Sequence, residues 1–73
     1  MSSQPSMIDV LLDDPSEKAR IAAATTLGGL NLEPFSPRER DVVLRALTSA
    51  LRDPSRLVRG AAGDALERLA QLA

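Results

Sequence analysis

Two aspartate and arginine sets recur in this chain, Asp14 with Arg20 and Asp53 with Arg59, each six residues apart. A carboxylate near a guanidinium is the minimum equipment for acid–base chemistry, so these four are the first candidates for a reactive site. They have no partner nucleophile of the usual kind. The chain contains no cysteine and no histidine, which removes serine–histidine and cysteine–histidine catalysis and the common zinc ligand sets. Asp9 and Asp13 sit four apart, with Glu17 not far beyond, and share a helix face that could offer oxygen ligands to a hard cation. A solvated acidic face is the simpler reading. Arg38, Arg45 and Arg52 recur every seven residues. That line could bind phosphates or an acidic protein surface, or lie in solvent with Asp41 paired to Arg45. Phe35 is the only aromatic residue, so single-stranded nucleic acid would find no stacking platform. The segment "TTLGGL" lacks a phosphate-loop lysine and reads as a helix end. The expectation is a non-enzyme with no metal, no cofactor and no small-molecule substrate.

The elements that position these residues must be helices. The 73 residues are rich in alanine and leucine, and arginine supplies eight of the nine basic side chains. No run of about 18 apolar residues is present, and "MSSQPS" lacks the basic and apolar parts of a signal peptide, so a soluble, cytoplasmic protein is expected, with no membrane segment. Net charge is −1, but unevenly placed. Up to Ser36, five acids face Lys18 and Arg20; from Pro37 onward, five acids face seven arginines, giving halves of −3 and +2.

The chain also matches itself. "LLDDPSEKARIAAATTLGGL" lies over "ALRDPSRLVRGAAGDALERL" at an offset of 39, with Leu12, Asp14, Pro15, Ser16, Arg20, Ala22, Ala23, Leu27 and Leu30 recurring identically. Each copy reads as a helical hairpin broken at Asp-Pro, since proline disfavours the helical conformation of the residue before it. Asp14 and Asp53 suit the N-cap and Pro15 and Pro54 the first helical position. On the third helix Val43, Ala46, Leu47, Ala50 and Leu51 share one face; on the fourth, Val58, Ala61, Ala62, Ala65, Leu66 and Leu69 do. Gly28 and Gly29 suit a helix end, and Ser36, Pro37 and Glu39 form a capping box. The spacing predicts four helices near 5–13, 15–29, 37–52 and 54–71. These make one domain over 1–73: repeat one at about 5–30, a short rigid linker at about 31–36, and repeat two at about 37–72.

The frame seen in "LLDDPSEKARIAAATTL" and, less fully, in "ALRDPSRLVRGAAGDAL" resembles the HEAT repeat, including the HEAT-like variety of phycobilisome lyases. The resemblance implies an all-α fold of antiparallel helical hairpins stacked as a short two-repeat α-solenoid. It also implies a structural role for Asp14, Arg20, Asp53 and Arg59, as a ladder of hydrogen bonds and ion pairs between repeats. In such proteins the second helices line the concave side. Ile21, Ala24, Gly60 and Gly63, with Arg56 near the rim, would then form a smooth, partly apolar groove for a partner helix. Each interior glycine costs a helix about 1 kcal/mol relative to alanine; either the groove needs the room, or glycine is merely tolerated there.

About three repeats are usually needed for stability, so two imply a further protein neighbour, either a second copy or a larger partner. The function expected is a non-catalytic protein-interaction or adaptor module that stacks through helical faces. An accessory subunit of a bilin-lyase-like complex is the first alternative. A nucleic-acid binder using the arginine-rich second half is a weaker one, since partners of that class lack support beyond the arginines themselves.

Overall fold

Four helices account for most of residues 6–71, the part of the chain that the computed structural model describes. They are α1 (Met7–Asp13), α2 (Glu17–Gly28), α3 (Pro37–Ala50) and α4 (Arg56–Gln71). The helices form two layers. α1 packs on α3 and α2 on α4, while α1 with α2 and α3 with α4 make the two hairpins. The result is a slab of 35 × 30 × 16 Å. The all-α two-hairpin arrangement expected from the 39-residue offset is therefore present, and no strand occurs among the described residues.

Helix starts differ from expectation in an instructive way. Asp14 and Asp53 are not N-caps, and Pro15 and Pro54 are not in a helix. Asp14 instead closes α1, its N–H donating to the Val10 carbonyl from an extended backbone (φ −66°, ψ 132°). Its carboxylate then accepts the Ser16 N–H at 2.8 Å, and the Ser16 hydroxyl caps α2 by accepting the Ala19 N–H at 3.2 Å. The second hairpin repeats the pattern. Asp53 accepts from Ser55 N–H at 2.8 Å, and the Ser55 hydroxyl accepts from Val58 N–H at 3.3 Å. Of the two oxygen-bearing side chains in Asp-Pro-Ser, the serine lies next to the helix and takes the cap, and the aspartate folds the turn before it. At the start of α1, Ser6 and Asp9 form a reciprocal capping box; the residue-5 boundary lies outside the described residues.

The third helix begins as its sequence suggests, with Ser36 and Glu39 exchanging hydrogen bonds and Pro37 in the first turn. The Ser36 backbone N–H, and secondarily its hydroxyl, hold the Glu39 carboxyl below the ordinary glutamate range. A depressed carboxylate stabilises the fold above its unfolded value and ceases to do so as pH falls through its folded value. An NMR titration should therefore find Glu39 titrating lower than a model glutamate, and Ser36→Ala, which removes the hydroxyl but keeps the backbone N–H, should raise it only part of the way to normal.

Leu11, Ala23, Ala24, Leu27, Val43, Ala46, Leu47, Ala50, Val58, Ala62, Ala65 and Leu69 form the core. Leu51, expected with them, is 40% exposed, because α3 ends at Ala50 and the chain turns away. Ala61 and Leu66 are only partly buried. Small residues dominate the seam between α2 and α4, which lets the two helices come very close. A Cβ added to Gly28 would lie 2.7 Å from both Cα and Cβ of Ala65. No glycine among the described residues has positive φ, so Gly28 is needed for close approach rather than for backbone freedom.

Candidate functional site

The Asp-Pro-Ser turns bring the recurring aspartates and arginines together across the repeats. Arg20, projecting from α2, donates from Nε to Asp53 Oδ2 at 3.0 Å and from Nη2 to Asp53 Oδ1 at 3.4 Å. Its third nitrogen, Nη1, donates to the Asp14 carbonyl at 2.7 Å. One guanidinium thus ties its own turn to the turn of the next hairpin. The pair is well shielded, with side-chain exposures of 15% for Arg20 and 9% for Asp53. Ser55 adds a second link by donating its hydroxyl to the Glu17 carboxylate. Arg59 grips its own turn in the same manner, with Nη1 on the Asp53 carbonyl at 2.7 Å and the Pro54 carbonyl at 3.2 Å. Every member of this set is occupied in holding turns, which is a mechanical use of charge. Among the described residues no three acidic side chains converge as a cation site.

A groove of about 650 Å³ runs along the seam of α2 and α4, lined by Ile21, Thr25 and Gly28 on one side and by residues from Arg56 to Arg68 on the other. Ile21, Arg56 and Gly60 therefore share one surface. Ala24 and Gly63 do not join them. Ala24 is fully buried beneath α4, and a Cβ on Gly63 would face Leu51, 3.8 Å away. The physical reason is coverage: α4 covers the flank of α2 that carries Ala24, whereas the equivalent flank of α4, which carries Gly63, has no helix over it among the described residues. Leu57, at the groove edge, is 62% exposed, the most exposed large apolar side chain among the described residues. Nothing in the residue order singles it out, although its counterpart in the first repeat is Lys18.

Gly60 has nothing within 4 Å of where a Cβ would stand. Alanine should therefore fit at Gly60 and at Gly63 and stabilise the fold by up to about 1 kcal/mol each, since alanine restricts the unfolded chain and favours helix. Chemical denaturation checks this. A loss of stability at either position would mean that α4 packs more tightly there than its geometry shows.

Arg38, Arg45 and Arg52 are all exposed on or just beyond α3, and Arg45 pairs with Asp41 at 2.9 Å. A more demanding role falls to Arg40. From α3 it reaches back over the linker, donating Nε to the carbonyls of Leu32 and Phe35 at 2.8 and 3.0 Å and Nη2 to that of Glu33 at 2.8 Å. Beside it lies a second groove of about 740 Å³, lined by leucines that include Leu30, Leu44 and Leu66.

A family model described as HEAT repeats matches residues 5–72, nearly the whole chain. The chain belongs to the HEAT repeat family. The match is to HEAT repeats as a class and does not single out the phycobilisome-lyase variety. No curated protein and no solved structure matches the chain. HEAT repeats commonly mediate protein–protein interaction, and as a family they are generally non-catalytic. No helix among the described residues is long and apolar enough to cross a membrane.

Proposed function

We propose that this HEAT-repeat chain is a non-catalytic adaptor that receives a helix of a partner protein in the groove between α2 and α4. The observation that carries the reading is the combination of Leu57, largely exposed at the groove edge, with the open wall at Gly60. An exposed leucine over a floor of Ile21, Gly28, Ala61 and Ala65 offers apolar contact, and the missing Cβ lets a second backbone approach. Arg56 and Arg68 flank that floor, with Asp64 between them along α4. The fitting occupant is an amphipathic helix with a narrow apolar stripe and acidic residues beside it.

The test compares wild type with Leu57→Glu and Gly60→Leu in capture of partner proteins from native extract, followed by binding of the recovered partner to purified chain. Both positions face solvent, so both variants should keep wild-type helicity by circular dichroism. Binding should fall by roughly tenfold or more in each, the loss typical of a central apolar contact. Folded variants that bind as wild type would refute the groove and move attention to Arg38, Arg45 and Arg52. A partner that proves to be nucleic acid, with binding lost on raising salt, would favour that arginine line instead.

A further inference from the structure

The two turns that carry the arginine ladder are built alike and charged oppositely. Around the shared Asp-Pro-Ser frame the first repeat has Asp13 and Glu17 where the second has Arg52 and Arg56, each 39 residues on. Lys18 and Arg20 are the only bases of the first half, and Arg20 is committed to Asp53. The second repeat thus ends the slab with a basic turn, and the first begins it with an acidic one.

The internal seam shows what such turns do when they meet. Arg20 anchors Nη1 on its own turn and offers Nε and Nη2 to the next aspartate. Arg59 anchors Nη1 on its own turn at the same 2.7 Å, yet its Nε and Nη2 have no acceptor among the described residues. At the other end of the slab, Asp14 spends Oδ1 on the Ser16 N–H, as Asp53 spends Oδ1 on the Ser55 N–H. The remaining oxygen of Asp53 holds Arg20, while that of Asp14 has no donor among the described residues. One end presents a two-nitrogen fork, and the other presents the oxygen that such a fork holds.

We propose that a second copy of this chain stacks on the exposed flank of α4, with Arg59 of one copy bound to Asp14 of the next. The contact lies on the end of the slab, apart from the groove between α2 and α4, and goes beyond the adaptor reading. Arg52 and Arg56 then lie beside the acidic turn that carries Asp13 and Asp14 of the incoming copy, which sets the direction of stacking by charge; Glu17 takes no part, being held by Ser55 across the internal seam. Gly63 stands in for the buried Ala24 and leaves α4 smooth where the incoming helices approach. Glu67 stands where the first repeat has Gly28, a position with no room for a Cβ against Ala65 in the internal seam. The copies consequently meet at the N-terminal half of α4 and splay at its C-terminal half, so this seam is weaker than the internal one. Because the Arg59 fork and the Asp14 oxygen belong to opposite ends of the slab, the contact is head-to-tail and open-ended.

Sedimentation velocity across a concentration series tests this. Wild-type mass should rise with concentration up to about 1 mM without reaching a plateau at dimer, and should fall as salt is raised toward 0.5 M or roughly that strength. Arg59→Glu should weaken association roughly tenfold and, added in minor amounts, should shorten wild-type assemblies by blocking one end. Asp14→Asn, which preserves an acceptor for the Ser16 N–H, should weaken it as well. Arg59→Glu and Asp14→Arg should each associate more weakly than wild type when alone, by roughly tenfold or more, and recover association when mixed, since every end of one then meets its opposite on the other. Leu57→Glu should assemble like wild type, which separates this contact from groove binding. A wild type that is monomeric throughout, an Arg59→Glu chain that assembles like wild type, or a mixture that fails to associate although both variants are helical would each overturn the proposal.

Discussion

Replacing Gly28 by alanine should destabilise the protein by roughly 1–3 kcal/mol, the range for an added methyl group in a packed site. The new Cβ would meet Cα and Cβ of Ala65 at 2.7 Å, and a Cα cannot turn aside as a flexible side-chain end can. The helix-propensity gain of alanine, about 1 kcal/mol, opposes this and is smaller. Gly28 is also the last residue of α2, so part of the strain will appear as fraying of that turn. Gly29 next to it supplies the control: its nearest contact would be the Thr26 carbonyl at 3.6 Å, and Gly29→Ala should be nearly neutral. Denaturant midpoints for the two variants decide the matter. Equal midpoints would show that the seam between α2 and α4 opens without cost.

Arg20→Met should cost about 3 kcal/mol, at the lower end of the range for breaking a shielded ion pair. The substitution keeps the aliphatic stem and removes three donors together. It leaves the Asp53 carboxylate, 9% exposed, with only the Ser55 N–H, and leaves the Asp14 carbonyl without its guanidinium. Asp53→Ala should be at least as damaging, because it removes both the turn acceptor and the counter-charge. A capping loss alone would be about 0.5–2 kcal/mol, so the excess measures the link between repeats. The double variant should be less destabilised than the sum of the singles, since neither charge is then left alone. Additive losses would show that the two residues act separately.

Most of the architecture was readable in the sequence because a 39-residue offset and helical periodicity are properties of residue order. What was not readable depends on things that order does not encode. Aspartate and serine both cap helices well, and which of them does so in Asp-Pro-Ser is settled by their positions relative to the first turn. Gly28 looked like a helix terminator because the closeness of Ala65, 37 positions away, belongs to the packed pair of helices. Ala24 and Gly63 are equivalent by repeat alignment, yet one is buried and the other is not, since among the described residues a hairpin lies over the first and none over the second. Of the expected groove residues, Ile21, Arg56 and Gly60 lie together, while Leu57 carried no signal beyond being apolar. Arg40 carries no signal in the sequence because its acceptors are main-chain carbonyls, which every residue possesses.

That last property changes how the connector between the hairpins stores its information. Arg40 recognises the path of the backbone from Leu32 to Phe35, not the side chains along it. Only Leu32 and Phe35 among those four pack on the core, so Glu33 and Pro34 are free to drift wherever the same path can be followed. The specification of the turn is held outside the turn, in one residue of the following helix. A connector of this kind can exchange much of its wording while the geometry it encodes is inherited intact.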